Sequence, residues 1–99
     1  MIKCIEDIPK RFTIANSNII IKIVDNLNGD YGNWSSSTNT ISIAKCMGVV
    51  ELTQEQVINT FWHEVFHVFQ FYFNNKYKEA QAQCYANFMR EFEESCKWN

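Results

Sequence analysis

Two histidines and a glutamate lie close together in an aromatic stretch of the chain, FWHEVFHVFQ at residues 61–70. His63 and His67 are four residues apart, a spacing that puts two side chains on one face of a helix. Two imidazoles placed in this way can share a single zinc ion. Glu64 lies between them in sequence and would stand beside the metal rather than bind it. The spacing therefore predicts a metal centre with an adjacent carboxylate.

A catalytic zinc site needs a third protein ligand and an open position for water. Glu79 is the candidate, because it follows His67 by twelve residues and begins a second predicted helix. Glu91 would point to the opposite side of that helix, and Glu93 would lie about 21 Å further along its axis, at 1.5 Å per residue. Two simpler interpretations stay open. Glu79 could interact only with the helix dipole, and the histidine pair could be an ordinary solvated surface.

The first half of the chain has the pattern of β-strands. Residues 18–25, NIIIKIVD, are rich in β-branched side chains and are flanked by turn-forming residues. Residues 30–35 and 39–45 are predicted to form a hairpin with a tip of Ser, Thr and Asn. Ile41 and Ile43 alternate with polar or small neighbours, as in a half-buried strand.

The second half has the pattern of helices. Thr53 is a predicted N-cap with Gln56 three residues later, a capping-box arrangement. The first helix should run from there to about Phe73, and a second helix from about residue 76 to residue 96. The predicted fold is α+β, a small antiparallel β-sheet followed by two packed α-helices, in one domain of residues 1–99.

A helical wheel at about 100° per residue divides the first helix into two sides. Glu64 falls at the edge of the polar side, next to the two histidines. The predicted core side contains the apolar residues Val57, Ile58, Phe61, Val65, Val68, Phe69 and Tyr72, extended by Trp62, Phe66 and Phe73. The histidines should therefore lie in a polar stripe bordered by large apolar groups, as in the wall of a cleft.

Composition restricts the class of protein. The chain is 46% hydrophobic and 15% aromatic, which predicts a compact core rather than disorder. A net charge of −2 with no basic run argues against nucleic-acid binding. The N-terminus lacks a signal-peptide pattern and no apolar stretch is long enough to span a membrane, so we expect a cytoplasmic protein. The four cysteines are scattered, and we expect them to be reduced thiols.

The paired segments H63-E-V-F-H67 and E79-A-Q-A82-Q-C-Y85-A86 resemble the HExxH…ExxAxxFA signature of gluzincin metallopeptidases. They are especially similar to the ImmA/IrrE-type and small phage-encoded zincin proteins. The resemblance covers about residues 18–96 and includes the Gly32–Trp34 segment and the T-I-S-I arm. It implies a minimal zincin-like fold from a phage or a bacterium. It also implies Zn²⁺ as the cofactor, held by His63, His67 and Glu79.

This ligand set predicts a zinc-dependent endopeptidase. Zinc would lower the pKa of a bound water to about 7. Glu64 would take the proton from that water and pass it to the leaving amine. Tyr72, Tyr77 and Tyr85 could each supply a hydroxyl to the developing oxyanion, and the sequence does not choose among them.

The expected substrate is a protein or peptide that pairs in an extended form with an edge strand beside the metal. Residues 39–45 are the predicted strand, with Thr40, Ile41, Ser42 and Ile43 as the contact residues. The alternative is that this arm is merely a paired hairpin strand. The sequence predicts neither a particular substrate nor an oligomeric state.

Two other functions agree with the same residues. One is a non-catalytic zincin-like zinc-binding module that acts as a regulatory or interaction protein. The other is a subunit interface in which the histidines occur by chance. The presence of Glu64 favours catalysis over a structural zinc site, because a structural site needs no general base.

Overall fold

The computed structural model describes residues 2–73, 91, 92 and 94–96. A 3₁₀ turn at Ile5–Asp7 precedes the first strand. The strands are β1 (Arg11–Ile14), β2 (Ser17–Val24), β3 (Gly32–Ser35), β4 (Thr40–Ala44), β5 (Cys46–Met47) and β6 (Val50–Glu51), and they are followed by helix α1 (Gln54–Phe73). The predicted strand at 18–25, the hairpin arms and the first helix all occur at nearly the expected positions. Strands β1, β5 and β6 were not predicted from the sequence.

The main sheet has four strands in the order β1-β2-β4-β3, and β5 and β6 form a separate small sheet. β1 and β2 are antiparallel, as are β3 and β4, but β2 and β4 run parallel. The predicted purely antiparallel sheet is therefore wrong. After β2 the chain forms β3 at the outer edge of the sheet, and β4 then lies between β2 and β3. The result is a mixed sheet with β3 at one edge.

One face of the sheet packs against α1, and the contact is a dense aliphatic and aromatic layer. Alternation along β2 and β4 turns every second residue toward the helix, because successive strand side chains point to opposite faces. The layer contains Phe12, Ile14, Ile19, Ile21, Ile41 and Ile43 from the sheet and Val57, Phe61, Val65 and Val68 from the helix. Burial of these groups is the main stabilising contribution to the fold.

The prediction of two packed helices is also wrong, since α1 is the only α-helix element in the described part of the chain. Most of the second predicted helix, residues 76–90, lies outside the described residues. Residues 91, 92, 94 and 95 have helical backbone, and Phe92 is buried with its ring centroid 4.7 Å from that of Phe12 and 5.7 Å from that of Trp62. The C-terminal residues therefore pack against both β1 and α1.

The capping box at the start of α1 is confirmed. The Gln56 backbone N–H donates to Thr53 Oγ1 at 3.1 Å, and the Thr53 N–H donates to Gln56 Oε1 at 2.8 Å. These two bonds satisfy backbone donors that have no partner inside the helix.

Within the described ranges, no helix combines the length and the apolar character that a membrane span requires.

Replacing Thr53 by alanine should lower the free energy of unfolding by about 1 kcal/mol, the usual cost of losing a helix cap. Thr53→Ser keeps the hydroxyl and should remain within a few tenths of a kcal/mol of the wild type. Urea unfolding followed by circular dichroism measures both values. Equal stability of Thr53→Ala and Thr53→Ser would contradict the role of the cap.

Candidate metal centre

The two histidines of α1 converge on a single point at the protein surface. Their Nε2 atoms are 3.0 Å apart, and their rings are nearly perpendicular, at 85°, with centroids separated by 4.6 Å. Two nitrogen ligands of a tetrahedral zinc ion, each about 2.05 Å from it, would be about 3.3 Å apart. Both side chains are exposed. His63 and His67 therefore fit two positions of a zinc site.

The other ring nitrogen of His67 also has a partner. His67 Nδ1 lies 3.2 Å from Gln70 Oε1, one helical turn further along. Histidines that bind metals usually donate their second ring N–H to an acceptor of this kind, which fixes the orientation of the ring. Gln70 was not among the site residues predicted from the sequence. The signal that could have found it was its spacing of three residues from His67.

Glu64 is more buried than its predicted place at the edge of the polar stripe. Only 6% of its surface is exposed, and it lies among the buried residues of α1. Burial raises the pKa of the Glu64 carboxyl above its ordinary value of 4.5, while the nearby His67 and His63 act in the opposite direction. Glu64 is thus next to the exposed His63 in sequence, but its own side chain is buried.

Strand β3 comes unusually close to α1 beside this carboxylate, because residue 32 has no side chain. A Cβ atom on Gly32 would lie 2.6 Å from Thr60 Cγ2, 3.0 Å from the Ser42 carbonyl oxygen and 3.4 Å from Glu64 Cγ. The first two distances are too short for ordinary contacts. The glycine is thus required by space, and it sets the distance between the edge strand and the helix that carries the histidines.

Gly32→Ala should lower the free energy of unfolding by roughly 1–3 kcal/mol, the usual cost of forcing an extra carbon into a packed position. Thr60→Ser removes only the Cγ2 atom that the new methyl group would strike and keeps the hydroxyl, which donates to the Gln56 carbonyl oxygen at 3.0 Å. The double variant should therefore recover part of the loss. Chemical denaturation of both single variants and the double variant measures this coupling. Strict additivity would contradict the close contact.

A groove of about 420 Å³ lies between β3 and α1. Its lining residues are Asp30, Tyr31, Gly32, Asn59, Thr60, His63 and Glu64. Tyr31 is half exposed and was not among the site residues predicted from the sequence. The groove brings one histidine and the buried carboxylate to the same wall, opposite the backbone of the edge strand.

The third predicted ligand, Glu79, lies outside the described residues, as do Tyr77 and Tyr85. Within residues 2–73 and the described C-terminal positions, no group of three or more His, Cys, Asp or Glu side chains could hold a metal ion. The other predicted tyrosine, Tyr72, is partly buried and donates its hydroxyl to Asn39 Oδ1 at 2.8 Å. That hydroxyl is already engaged in a contact within the fold.

The predicted substrate strand is not an open edge. Residues Thr40, Ile41, Ser42 and Ile43 belong to β4, which pairs with β2 on one side and β3 on the other. Both sets of backbone groups are therefore used, and a peptide cannot extend the sheet along this strand. The sequence pattern identified a strand but not its neighbours, which depend on the parallel return of the chain.

Strand β3 is the edge beside the site. Ala44 N–H donates to the Tyr31 carbonyl oxygen at 2.9 Å, so residues at alternate positions from Tyr31 bond to β4. The intervening residues, Gly32 and Trp34, direct their backbone N–H and C=O groups away from β4. Among the described residues no strand pairs with that side of β3. Trp34 also packs on α1, with its ring centroid 6.0 Å from that of Phe71.

Comparison with known proteins found no matching family model, no significantly similar curated protein and no significantly similar solved structure.

Proposed function

We propose that this protein is a zinc-dependent endopeptidase that hydrolyses peptide bonds of a protein substrate. The observation that carries the proposal is the convergence of the His63 and His67 Nε2 atoms, 3.0 Å apart, next to a buried glutamate. The resemblance of the HExxH and ExxA segments to gluzincins supports the same function. The proposed metal ligands are His63, His67 and Glu79.

The donor set suits zinc, because two neutral imidazoles and a carboxylate are ligands found in catalytic zinc sites. When bound, zinc would lower the pKa of a coordinated water to about 7 and polarise the carbonyl group of the substrate. His63 and His67 lie on a single helix turn, so the backbone of α1 holds their relative position. Helix α1 is itself held by the packing of Val57, Phe61 and other core residues against the sheet.

Glu64 is the proposed general base. It follows His63 directly and lines the same groove, so it can border the reacting water without being a ligand. Burial raises its pKa, and a carboxylate with a higher pKa accepts a proton more readily. The same group, once protonated, can deliver that proton to the departing amine.

An extended peptide would bind along β3 rather than β4. The backbone N–H and C=O groups of Gly32 and Trp34 are directed to the open side of this strand, where a peptide could pair by β-augmentation. The groove beside Gly32 is bordered by Glu64 and His63. A peptide bound there would carry its backbone past the proposed metal site. Tyr31, directly before β3, lines this groove, and we propose it in place of Tyr72 as the hydroxyl donor to the developing oxyanion.

A cytoplasmic location forms part of the proposal. Among the described residues, Cys4 and Cys46 are free thiols, as is usual in a reducing compartment. The chain has a net charge of −2. This charge does not favour a nucleic-acid partner, so we propose a protein or peptide as the substrate.

The decisive experiment compares new protein N-termini in cells that express the wild type or Glu64→Gln at matched levels. We expect a small set of N-termini that appear only with the wild type. A protein that binds zinc but produces no Glu64-dependent cleavage would instead be a non-catalytic zinc-binding module. A purified protein that binds no zinc would contradict both functions.

A further inference from the structure

We infer that Gln70 is a positioning residue that holds His67 in its metal-binding tautomer before zinc arrives, and that zinc binding changes the tautomer of His63 only. This inference rests on the proposed zinc site. It adds to that site a residue outside the ligand set and an unequal division of roles between the two histidines.

The contact with Gln70 fixes the tautomer of His67. The atom that lies 3.2 Å from His67 Nδ1 is the carbonyl oxygen of Gln70. A carbonyl oxygen can only accept a hydrogen bond, so Nδ1 must carry the proton. In neutral imidazole the other nitrogen then has a free lone pair. His67 Nε2 is therefore prepared to bind a metal before any metal arrives.

The tautomer of His63 follows from its contact with His67, since the two Nε2 atoms are 3.0 Å apart. Because His67 Nε2 has only a lone pair to offer, His63 Nε2 must supply the hydrogen in the metal-free protein. His63 is then in the Nε2–H tautomer, the one that cannot bind a metal through Nε2. Among the described residues no hydrogen bond holds its Nδ1 atom.

Binding of one ion through both Nε2 atoms would therefore require a change at His63. His63 must lose its Nε2 proton and gain one at Nδ1, by exchange with water, so the neutral ring releases no net proton. His67 keeps its Nδ1 proton and its bond to Gln70. The two ligands of one site thus differ: one is preset by Gln70, and the other rearranges as the metal enters.

The chain has only two histidines, so long-range ¹H–¹⁵N spectra of protein with labelled histidine can identify each tautomer directly. We expect metal-free wild type, at mildly alkaline pH, to show His67 as Nδ1–H and His63 as Nε2–H. Addition of zinc should convert His63 to Nδ1–H and leave the His67 tautomer unchanged. Metal-free His67→Ala and His63→Ala proteins assign the two sets of signals.

Gln70→Met keeps the length of the side chain at this exposed position but replaces the carbonyl oxygen by a thioether sulfur, a much weaker acceptor. It should release the His67 tautomer and weaken zinc binding by about 10- to 100-fold, as loss of a group that hydrogen-bonds a metal ligand does. Gln70→Glu retains an acceptor and should preserve both the tautomer and the affinity. Zinc affinity is measured by competition with a chelator, and circular dichroism checks the fold of each variant.

The inference is overturned if His67 remains Nδ1–H in Gln70→Met, or if that variant binds zinc as tightly as the wild type. Failure of the proposed function looks different. Wild type would then bind no zinc or would cleave no substrate, while the tautomers of the metal-free protein would still report on Gln70.

Discussion

Glu64→Gln should reduce peptide cleavage by roughly 10²- to 10⁴-fold, the usual contribution of general acid–base catalysis. Glutamine cannot accept the proton that glutamate accepts. Because it has nearly the same size and shape, the groove and the histidine pair should be unchanged. The measurement is kcat/KM on a substrate identified from the new N-termini, with zinc content determined in the same samples.

The stability of this variant provides an independent check on the site. The pKa of Glu64 is raised by burial in the folded protein, so the folded state binds its proton more tightly than the unfolded state does. Ionised Glu64 then costs stability above the folded pKa, and that cost disappears as the pH falls through this value. Glutamine never ionises. Metal-free Glu64→Gln should therefore unfold at the same temperature as the wild type or higher at neutral pH.

Glu79→Gln serves as a contrasting variant, since it replaces a proposed ligand rather than the proposed base. It should weaken zinc binding itself, because a neutral amide is a poorer zinc ligand than a carboxylate. If Glu64→Gln cleaves the true substrate as fast as wild type, the proposed mechanism is wrong, however tightly zinc is bound. If Glu64→Gln loses its zinc, Glu64 acts on the metal site and not only on the proton.

His63→Ala and His67→Ala should each abolish stoichiometric zinc binding. Either change leaves two of the three proposed ligands, and two ligands make a poor zinc site. The loss of affinity should exceed the roughly 10- to 100-fold caused by removing a group that merely hydrogen-bonds a ligand. Glu55→Ala is the matched control, because Glu55 is exposed on the same helix, two turns before His63, and does not line the groove. That variant should bind zinc like the wild type.

Thermal unfolding gives a second measurement of the same site. A ligand that binds only the folded state stabilises it by about 2.7 kcal/mol at a free concentration of 100 times Kd. Zinc should thus raise the unfolding temperature of wild type and Glu55→Ala but not of either histidine variant. A double histidine variant that still holds one tight zinc ion would place the site elsewhere, with the cysteines as the next ligands to test.

Local features of the fold could be predicted from the sequence because their causes are local. The β-branched run ending near Val24 forms β2, and the alternation around Ile41 and Ile43 forms β4 with both isoleucines buried. Thr53 and Gln56 mark the start of α1 through two hydrogen bonds between neighbours in sequence. The pairing of His63 with His67 likewise depends only on the pitch of a helix.

The remaining features depend on which segments meet, and sequence pattern does not specify that. A strand with alternating isoleucines buries the same face whether its neighbour is parallel or antiparallel, so the parallel pairing of β2 with β4 was not predicted. Because β4 lies between β2 and β3, the open edge of the sheet beside the site is β3 and not β4 as predicted. That pairing also brought Gly32 against Thr60 and Glu64. The burial of Glu64, and hence the direction of its pKa shift, comes from this approach of the edge strand to the helix, because desolvation depends on everything packed around a charge and not on its neighbours in sequence.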